Sequence, residues 1–103
     1  MAQFDVCRVS GLRDGSAVDL ALILQNDILD DTSTRVVAPV IEVDRRRQTT
    51  KTAPIIEIDG VHYMIAMNLV MTVPRRNLGR PIANLKNEEH VLKKAIDMVF
   101  YGV

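Results

Sequence analysis

The segment PIIEIDGVHYMIAM at positions 54–67 decides the class of fold, because it reads as two short apolar runs joined by Asp59 and Gly60. An Asp-Gly pair readily takes the positive φ angles of a type I′ turn, which joins two antiparallel strands. The segment therefore predicts a β-hairpin, with strands at Ile55–Ile58 and at residues 61–67.

The N-terminal part of the sequence predicts two more strands. Residues 3–9 are rich in β-formers, and the turn formers SGLRDGS follow at residues 10–16. Large aliphatic side chains alternate along residues 18–24, and at a period of two they lie on one face of a strand. We expect that face to belong to the core.

One further strand is expected before the hairpin and one after it. Residues 35–43 are rich in β-branched side chains. Pro39 lacks the N–H that a strand ladder needs, so it is expected at a sheet edge or a bulge. The later strand covers residues 69–73 and stops at Pro74.

Three polar stretches predict loops between these elements. Residues 25–34 form a loop or a single helical turn around one exposed apolar pair, Ile28 and Leu29. Residues 44–53 lack an apolar period, and residues 75–86 are irregular. The apolar pair needs an explanation, because it stands in otherwise polar surroundings.

A helix is expected after these strands. Asn87 is a suitable N-cap, and Gly102 stands where a left-handed C-cap is expected. The apolar stripe that would lie on the sheet consists of Val91, Leu92, Ala95, Ile96, Val99 and Phe100. The sequence thus predicts one domain over residues 1–103, of α+β or mainly β class, in which an antiparallel barrel or sheet is closed by a C-terminal helix.

Composition narrows the class of protein. Hydrophobic residues make up 48% of the sequence and aromatic residues 4%, so the core is expected to be aliphatic. The single cysteine, Cys7, cannot form an internal disulfide, which favours a reducing compartment. The first residues lack the basic start and apolar stretch typical of a signal peptide, and no apolar run approaches the roughly 20 residues of a membrane span, so we expect a cytoplasmic protein without a membrane partner.

Charge argues against a nucleic-acid binder. The 13 basic and 13 acidic residues give a formal net charge of zero, whereas nucleic-acid binders usually carry a basic excess. Arginines at positions 45–47, 75, 76 and 80 could bind phosphates. Because solvated loops explain them more simply, no direct nucleic-acid specificity is expected.

No residue pattern indicates catalysis or a cofactor. His62 and His90 lack partners at metal-ligand spacing, and a single strand cysteine such as Cys7 is usually an inert buried thiol. The five glycines stand singly instead of forming a phosphate-binding loop. We expect no metal site, no cofactor and no enzymatic activity.

The last residues of the sequence are apolar, where chain ends usually carry polar side chains. They are Phe100, Tyr101, Gly102 and Val103. Burial against the barrel would explain them, and so would presentation of an aromatic anchor to a partner. The residues alone leave both explanations open.

The pattern resembles the CcdB toxins of bacterial toxin-antitoxin pairs. The ends of that family read Ala, Ile, Asn, two aliphatics, Phe, Trp, Gly and Ile, and residues 95–103 here read AIDMVFYGV. Other segments follow in the family's order: Gln3 with Phe4, LQNDILD at 24–30, TRVVAPV at 34–40, PIIEID from Pro54, and TVP at 72–74. The similarity spans essentially the whole chain.

The resemblance implies an SH3-like antiparallel barrel with a C-terminal helix, shared by CcdB and MazF-type toxins, and a homodimer. It implies a toxin that binds the GyrA subunit of DNA gyrase, traps the enzyme on cleaved DNA and is neutralised by a CcdA-like antitoxin. The residues implied to face gyrase are Gln3, Phe4, Asn26, Ile28, Asp97, Phe100, Tyr101, Gly102 and Val103.

This sequence departs from the family at several of those positions. Tyr101 stands where the family has Trp, Asp97 replaces Asn, Asn26 replaces Ser and Val103 replaces Ile. Tyrosine offers less stacking area, and the aspartate adds a charge. Two alternatives therefore stay open: a MazF-like endoribonuclease toxin on the same fold, and a chromosomal CcdB relative without toxicity.

Overall fold

The computed structural model describes residues 2–10, 20–26 and 33–102. Some sequence features lie outside these residues: most of the turn at 10–16, Val18, the apolar pair Ile28 and Leu29, and Val103.

The described residues form strands and one α-helix, joined by short 3-10 turns. In chain order the strands are β1 (Asp5–Val9), β2 (Leu20–Ile23), β3 (Thr34–Glu42), β4 (Ile55–Ile58), β5 (Val61–Ile65), β6 (Met71–Pro74) and β7 (Leu78–Asn84), and the helix is α1 (Glu89–Tyr101). The 3-10 turns are Met67–Leu69, Arg75–Asn77 and Lys86–Glu88.

The strands build a curled antiparallel sheet, a half-barrel that α1 follows. Within the described residues the strand order is β4-β5-β3-β2-β1-β7, and β6 pairs with β3 next to β5. All of the pairings are antiparallel. This confirms the predicted antiparallel, barrel-like fold with a C-terminal helix.

The hairpin that decides the fold has the predicted turn. Ile58 pairs with Val61, so Asp59 and Gly60 form a two-residue loop. Their φ angles are 51° and 83°, and two positive values are what a type I′ turn requires. The second strand ends at Ile65, two residues earlier than predicted.

The curl of the sheet gives β2 two buried faces. Leu20 and Leu22 lie in one core cluster, as their alternation predicts. Ala21 and Ile23 lie in a second cluster on the other face. A strand in the middle of a curled sheet has protein on both sides, so an alternation that marks one core face does not imply an exposed second face.

The placement of Pro39 at a sheet edge or bulge was wrong. β3 is central, because it pairs with β2 on one side and with β6 and then β5 on the other. The oxygen of Pro39 accepts a hydrogen bond from the Ala66 N–H at 2.9 Å. Pro39 has no N–H to donate, and its nitrogen faces the place where β3 changes partner from β6 to β5. No ladder hydrogen bond is therefore lost there.

The prediction of an irregular stretch over residues 75–86 was also wrong, because Leu78–Asn84 form β7. This strand pairs with β1, and register shifts flank the Cys7–Pro81 pair. β7 is the outer strand beside β1, a position in which a proline and bulges are tolerated. Its exposed Gly79 and Arg80 hide the apolar alternation that marks a strand.

The helix starts differently from the prediction. The residue before α1 is Glu88, and its side chain makes no capping hydrogen bond, so Asn87 is not the N-cap. A side-chain hydrogen bond lies further upstream instead: Asn84 Oδ1 accepts from the Lys86 N–H at 2.9 Å, two residues on, as in an Asx turn. The 3-10 turn Lys86–Glu88 then leads into the helix.

The buried stripe of α1 is narrower than predicted. Leu92 and Ala95 are fully buried, and Ile96 and Val99 pack against the same cluster. Val91 and Phe100 lie on the flanks and are 41% and 59% exposed. No helix in the described part of the chain has the length and apolar character needed to cross a membrane.

Candidate partner-binding surface

The C-terminal turn of α1 exposes two aromatic side chains. Tyr101 is 76% exposed and Phe100 is 59% exposed. Nine residues separate Tyr101 from the buried Leu92, which at about 100° per residue puts the two on opposite sides of the helix. Of the two explanations left open by the sequence, the structure therefore favours an aromatic that faces outward.

Asp97 belongs to the same surface. It precedes Phe100 and Tyr101 by three and four residues, a spacing at which helical side chains are neighbours, and it is exposed. Gly102 completes this surface, which we call the C-terminal patch: Asp97, Phe100, Tyr101 and Gly102. An aromatic pair beside a carboxylate can stack on a cationic partner and also attract it.

Gly102 fixes the direction in which the chain leaves the helix. Its φ is 74°, in the left-handed region. Its N–H donates to the oxygens of Asp97 and Met98, each at 3.1 Å, so it caps the last turn as predicted. This cap holds the last helical turn, and with it the two aromatic side chains, in a defined position.

The N-terminal site residues are tied to the end of β2. The Gln3 side chain donates its Nε2 hydrogen to the Leu24 oxygen at 2.9 Å, and the Phe4 N–H donates to the Ile23 oxygen at 2.7 Å. Asn26 follows two residues after Leu24 and is exposed. The structure thus brings Gln3 and Phe4 to the end of β2, which Asn26 follows in the chain.

Phe4 corrects one of the expectations. Its side chain is 1% exposed, so it cannot contact a partner in this conformation. The φ of Phe4 is 68°, an unusual value for a residue other than glycine, and this turn directs the ring into the core cluster that also holds Leu92 and Ala95. The N-terminal segment and α1 therefore share one core.

Hydrogen bonds around the buried Asp5, which the sequence did not reveal, fix this N-terminal segment. Asp5 is 8% exposed, and its carboxylate accepts hydrogen bonds from the Ala2 N–H and the Asn84 Nδ2, each at 2.8 Å. Asn84 Nδ2 also lies 3.2 Å from the Gln3 oxygen. No local motif predicts such a contact, because Asp5 and Asn84 are 79 residues apart in sequence.

The described residues hold no cluster of three metal-ligating side chains. Cys7 is fully buried, and burial, with a smaller contribution from Asp5, raises the pKa of its thiol. The raised pKa favours the unreactive protonated form. The Nδ1 of His62 is buried without a hydrogen-bond partner in the described residues.

The arginine runs lie on the surface. Residues 45–47, 75, 76 and 80 are all exposed. Asp44 lies beside them, and hydrogen bonds from the backbone and side chain of Arg46 lower the pKa of its carboxyl.

Comparison with known proteins gives one family and one fold. The sequence pattern of the CcdB protein family matches residues 3–102. Among solved structures, an endoribonuclease in complex with its cognate antitoxin from a mycobacterial species is similar, with a TM-score of 0.76 and 16% identity over 96% of this chain and 93% of that chain.

Two further structures share the fold. One is described as an Mtb toxin, with a TM-score of 0.73 and 21% identity over 92% of this chain and 99% of that chain. The other is the Mycobacterium tuberculosis toxin MazF-mt6, with a TM-score of 0.70 and 22% identity over 91% of this chain and 94% of that chain. At these identities the likeness shows the fold alone.

Proposed function

The chain belongs to the CcdB family, and we propose that it is the toxin of a toxin-antitoxin pair that binds the GyrA subunit of DNA gyrase as a homodimer. It acts in the cytoplasm by trapping the gyrase-DNA cleavage complex, and a CcdA-like antitoxin neutralises it. It performs no chemistry of its own.

The exposed aromatic end of α1 is the observation that supports this proposal most strongly. Tyr101 is 76% exposed, although an aromatic side chain usually contributes to folding by burial. Aromatic residues of this kind are enriched among the residues that dominate the energy of protein interfaces. The cap at Gly102 holds Tyr101 in place, which lowers the entropic cost of binding.

The C-terminal patch matches the chemistry of a cationic partner surface. An arginine of the partner can stack on Tyr101 or Phe100, and the carboxylate of Asp97 lies one turn away to pair with it. A stacking contact of this kind contributes about 0.5 to 2 kcal/mol, depending on how far it is desolvated. In a homodimer two such patches can engage one symmetric partner together.

A DNA cleavage assay tests the proposal. Purified protein is incubated with gyrase and supercoiled plasmid, and the mixture is then treated with a denaturant. Linear plasmid is expected, because a trapped complex releases its broken DNA on denaturation. Plasmid without double-strand breaks at micromolar protein would rule the proposal out, provided that a known gyrase poison linearises the plasmid in a parallel reaction.

A MazF-like endoribonuclease is the second candidate, because the chain shares its fold with a protein described as an endoribonuclease. In that case the exposed arginines at 45–47 or at 75 and 76 would have to line an RNA groove. Incubation with cellular RNA separates the two candidates: discrete fragments would support the nuclease, and intact RNA supports the gyrase poison.

A chromosomal relative without toxicity is the third candidate, and the Tyr101 and Asp97 departures favour it. The unmodified protein and the Tyr101→Trp variant are each induced in a bacterium without antitoxin. Growth arrest by the unmodified protein would eliminate this candidate, whereas arrest by the tryptophan variant alone would establish it.

A further inference from the structure

The N-terminal segment contains a strained backbone turn that packs against the helix. Phe4 has a φ of 68°, a left-handed value that costs free energy in a residue other than glycine. Such a conformation persists only where the surrounding structure holds it, and it is commonest at functional sites. The contacts that hold Phe4 in this turn are therefore candidates for a functional role.

One side chain, that of Asn84, contacts the segment on both sides of Phe4. Its Nδ2 donates to the Gln3 oxygen at 3.2 Å, before the strained residue, and to Asp5 Oδ1 at 2.8 Å, after it. The second carboxylate oxygen of Asp5 accepts a hydrogen bond from the Ala2 N–H at 2.8 Å. Asn84 thus uses both amide hydrogens to clamp the turn.

The same side chain joins the turn to the start of the helix. Asn84 Oδ1 accepts a hydrogen bond from the Lys86 N–H at 2.9 Å. The residue between them, Leu85, donates its N–H to the Phe4 oxygen at 2.8 Å, and the Phe4 ring lies in the same core cluster as Leu92 of α1. The turn is thus fixed relative to α1.

Gln3 is the residue whose presentation to a partner depends on this clamp. Its main-chain oxygen is held by Asn84, and its side chain lies at the end of β2, where Nε2 donates to the Leu24 oxygen at 2.9 Å. Gln3 is partly exposed, whereas Phe4 and Asp5 are buried. Of the three residues in the clamped turn, Gln3 is therefore the one that a partner can contact.

We propose that Asn84 is a positioning residue for the binding of GyrA, because it holds the strained turn so that Gln3 meets the partner in a fixed orientation. This inference rests on the proposed function. Without the clamp the turn relaxes, and Gln3 has to be ordered at the moment of binding. Ordering one residue lowers an affinity by roughly five- to thirtyfold.

The affinity of GyrA for the Asn84→Ala variant tests this role. Calorimetric titration is carried out at a temperature at which every variant is folded, and the affinity should fall by roughly five- to thirtyfold. Gly60→Ala is the matched control, because it strains the turn between β4 and β5 and leaves the N-terminal turn intact. Its affinity should stay within about twofold of the native value. Equal losses in the two variants would show that Asn84 acts only through stability.

A double-mutant cycle shows whether Asn84 acts through Gln3. Gln3→Ala added to Asn84→Ala should lower the affinity little further, because the effects of residues that act together are not additive. Tyr101→Ala should add its full loss, since Tyr101 lies about 18 Å along the helix from its first residue. Additive losses for Gln3 and Asn84 would mean that Asn84 contributes independently of Gln3, and the positioning role would be wrong.

Exchange of the two side chains in the clamp provides a rescue. Asn84→Asp places a second carboxylate against that of Asp5, so the affinity should fall. Asp5→Asn in the same chain restores a donor opposite an acceptor, and the double variant should bind GyrA more tightly than Asn84→Asp alone. Absence of recovery would rule out the clamp as the cause. Absence of binding by the native protein would instead refute the proposed function, and this inference with it.

Discussion

Replacement of Tyr101 by alanine separates a role in binding from a role in folding. A tyrosine buries about 150 to 250 Å² when fully enclosed, and Tyr101 hides only about a quarter of its surface. About 50 Å² at roughly 25 cal/mol per Å² amounts to about 1 kcal/mol. Because alanine has a higher helix propensity than tyrosine, the substitution recovers about half of this folding free energy.

The expected loss of folding free energy is therefore below about 1 kcal/mol, which lowers Tm by less than about 5 °C in a chain of this size. The affinity for GyrA should fall by a much larger factor. Truncation of a central aromatic at an interface costs about 2 kcal/mol or more, which corresponds to at least a roughly 30-fold loss of affinity. The concentration for half-maximal DNA cleavage should rise by that factor.

Leu92→Ala is the matched control on the same helix. Leu92 is 0% exposed, and a buried leucine truncated to alanine costs about 2 to 5 kcal/mol of folding free energy. Tyr101→Ala should therefore melt close to the native protein, and Leu92→Ala far below it. A large Tm loss in Tyr101→Ala, or unchanged cleavage by a folded Tyr101→Ala, would refute this reasoning.

Three smaller predictions concern the scaffold. Gly60→Ala should lower the free energy of unfolding by about 1 to 2 kcal/mol in urea denaturation, because its φ of 83° strains any side chain; no loss would show that the turn relaxes. Asn84→Ala should cost about 1 to 3 kcal/mol, because it leaves the buried Asp5 carboxylate with one donor fewer; a neutral effect would mean that water replaces the amide. Since burial raises the pKa of Cys7 above 9.0, its stabilising effect is complete below that pH and is lost as pH rises through the folded-state pKa. Cys7→Ala should show a shallower fall of the urea midpoint from about pH 8 to about pH 10, and parallel curves for the two proteins would contradict this.

The parts of the fold that the sequence predicts are those set by local chemistry. Asp59 and Gly60 specify their turn without help from the rest of the chain, and so does Gly102 at the end of α1. β7 escaped prediction because it is an outer strand that contains Pro81 and exposes four consecutive residues, 79–82, to solvent. Its position depends on pairing with β1, some 70 residues earlier in the chain. A local sequence pattern does not indicate such a distant partner.

In the candidate site, too, the sequence predicts what local chemistry sets and does not predict what tertiary packing sets. The aromatic pair at the end of α1 is visible in the sequence, but the exposure of Tyr101 depends on how the helix is rotated on the sheet. The resemblance implied that Phe4 faces gyrase, but its backbone φ is positive and its ring lies in the core.

Sedimentation velocity with and without GyrA is the most direct test of the central claim, that this protein acts by binding gyrase as a homodimer. Alone, the protein should sediment as a dimer of two 11.5 kDa chains, and with GyrA it should move in the faster boundary at one toxin dimer for each GyrA dimer. The account is contradicted if the protein stays monomeric at micromolar concentration, or if its boundary is unchanged when GyrA is added.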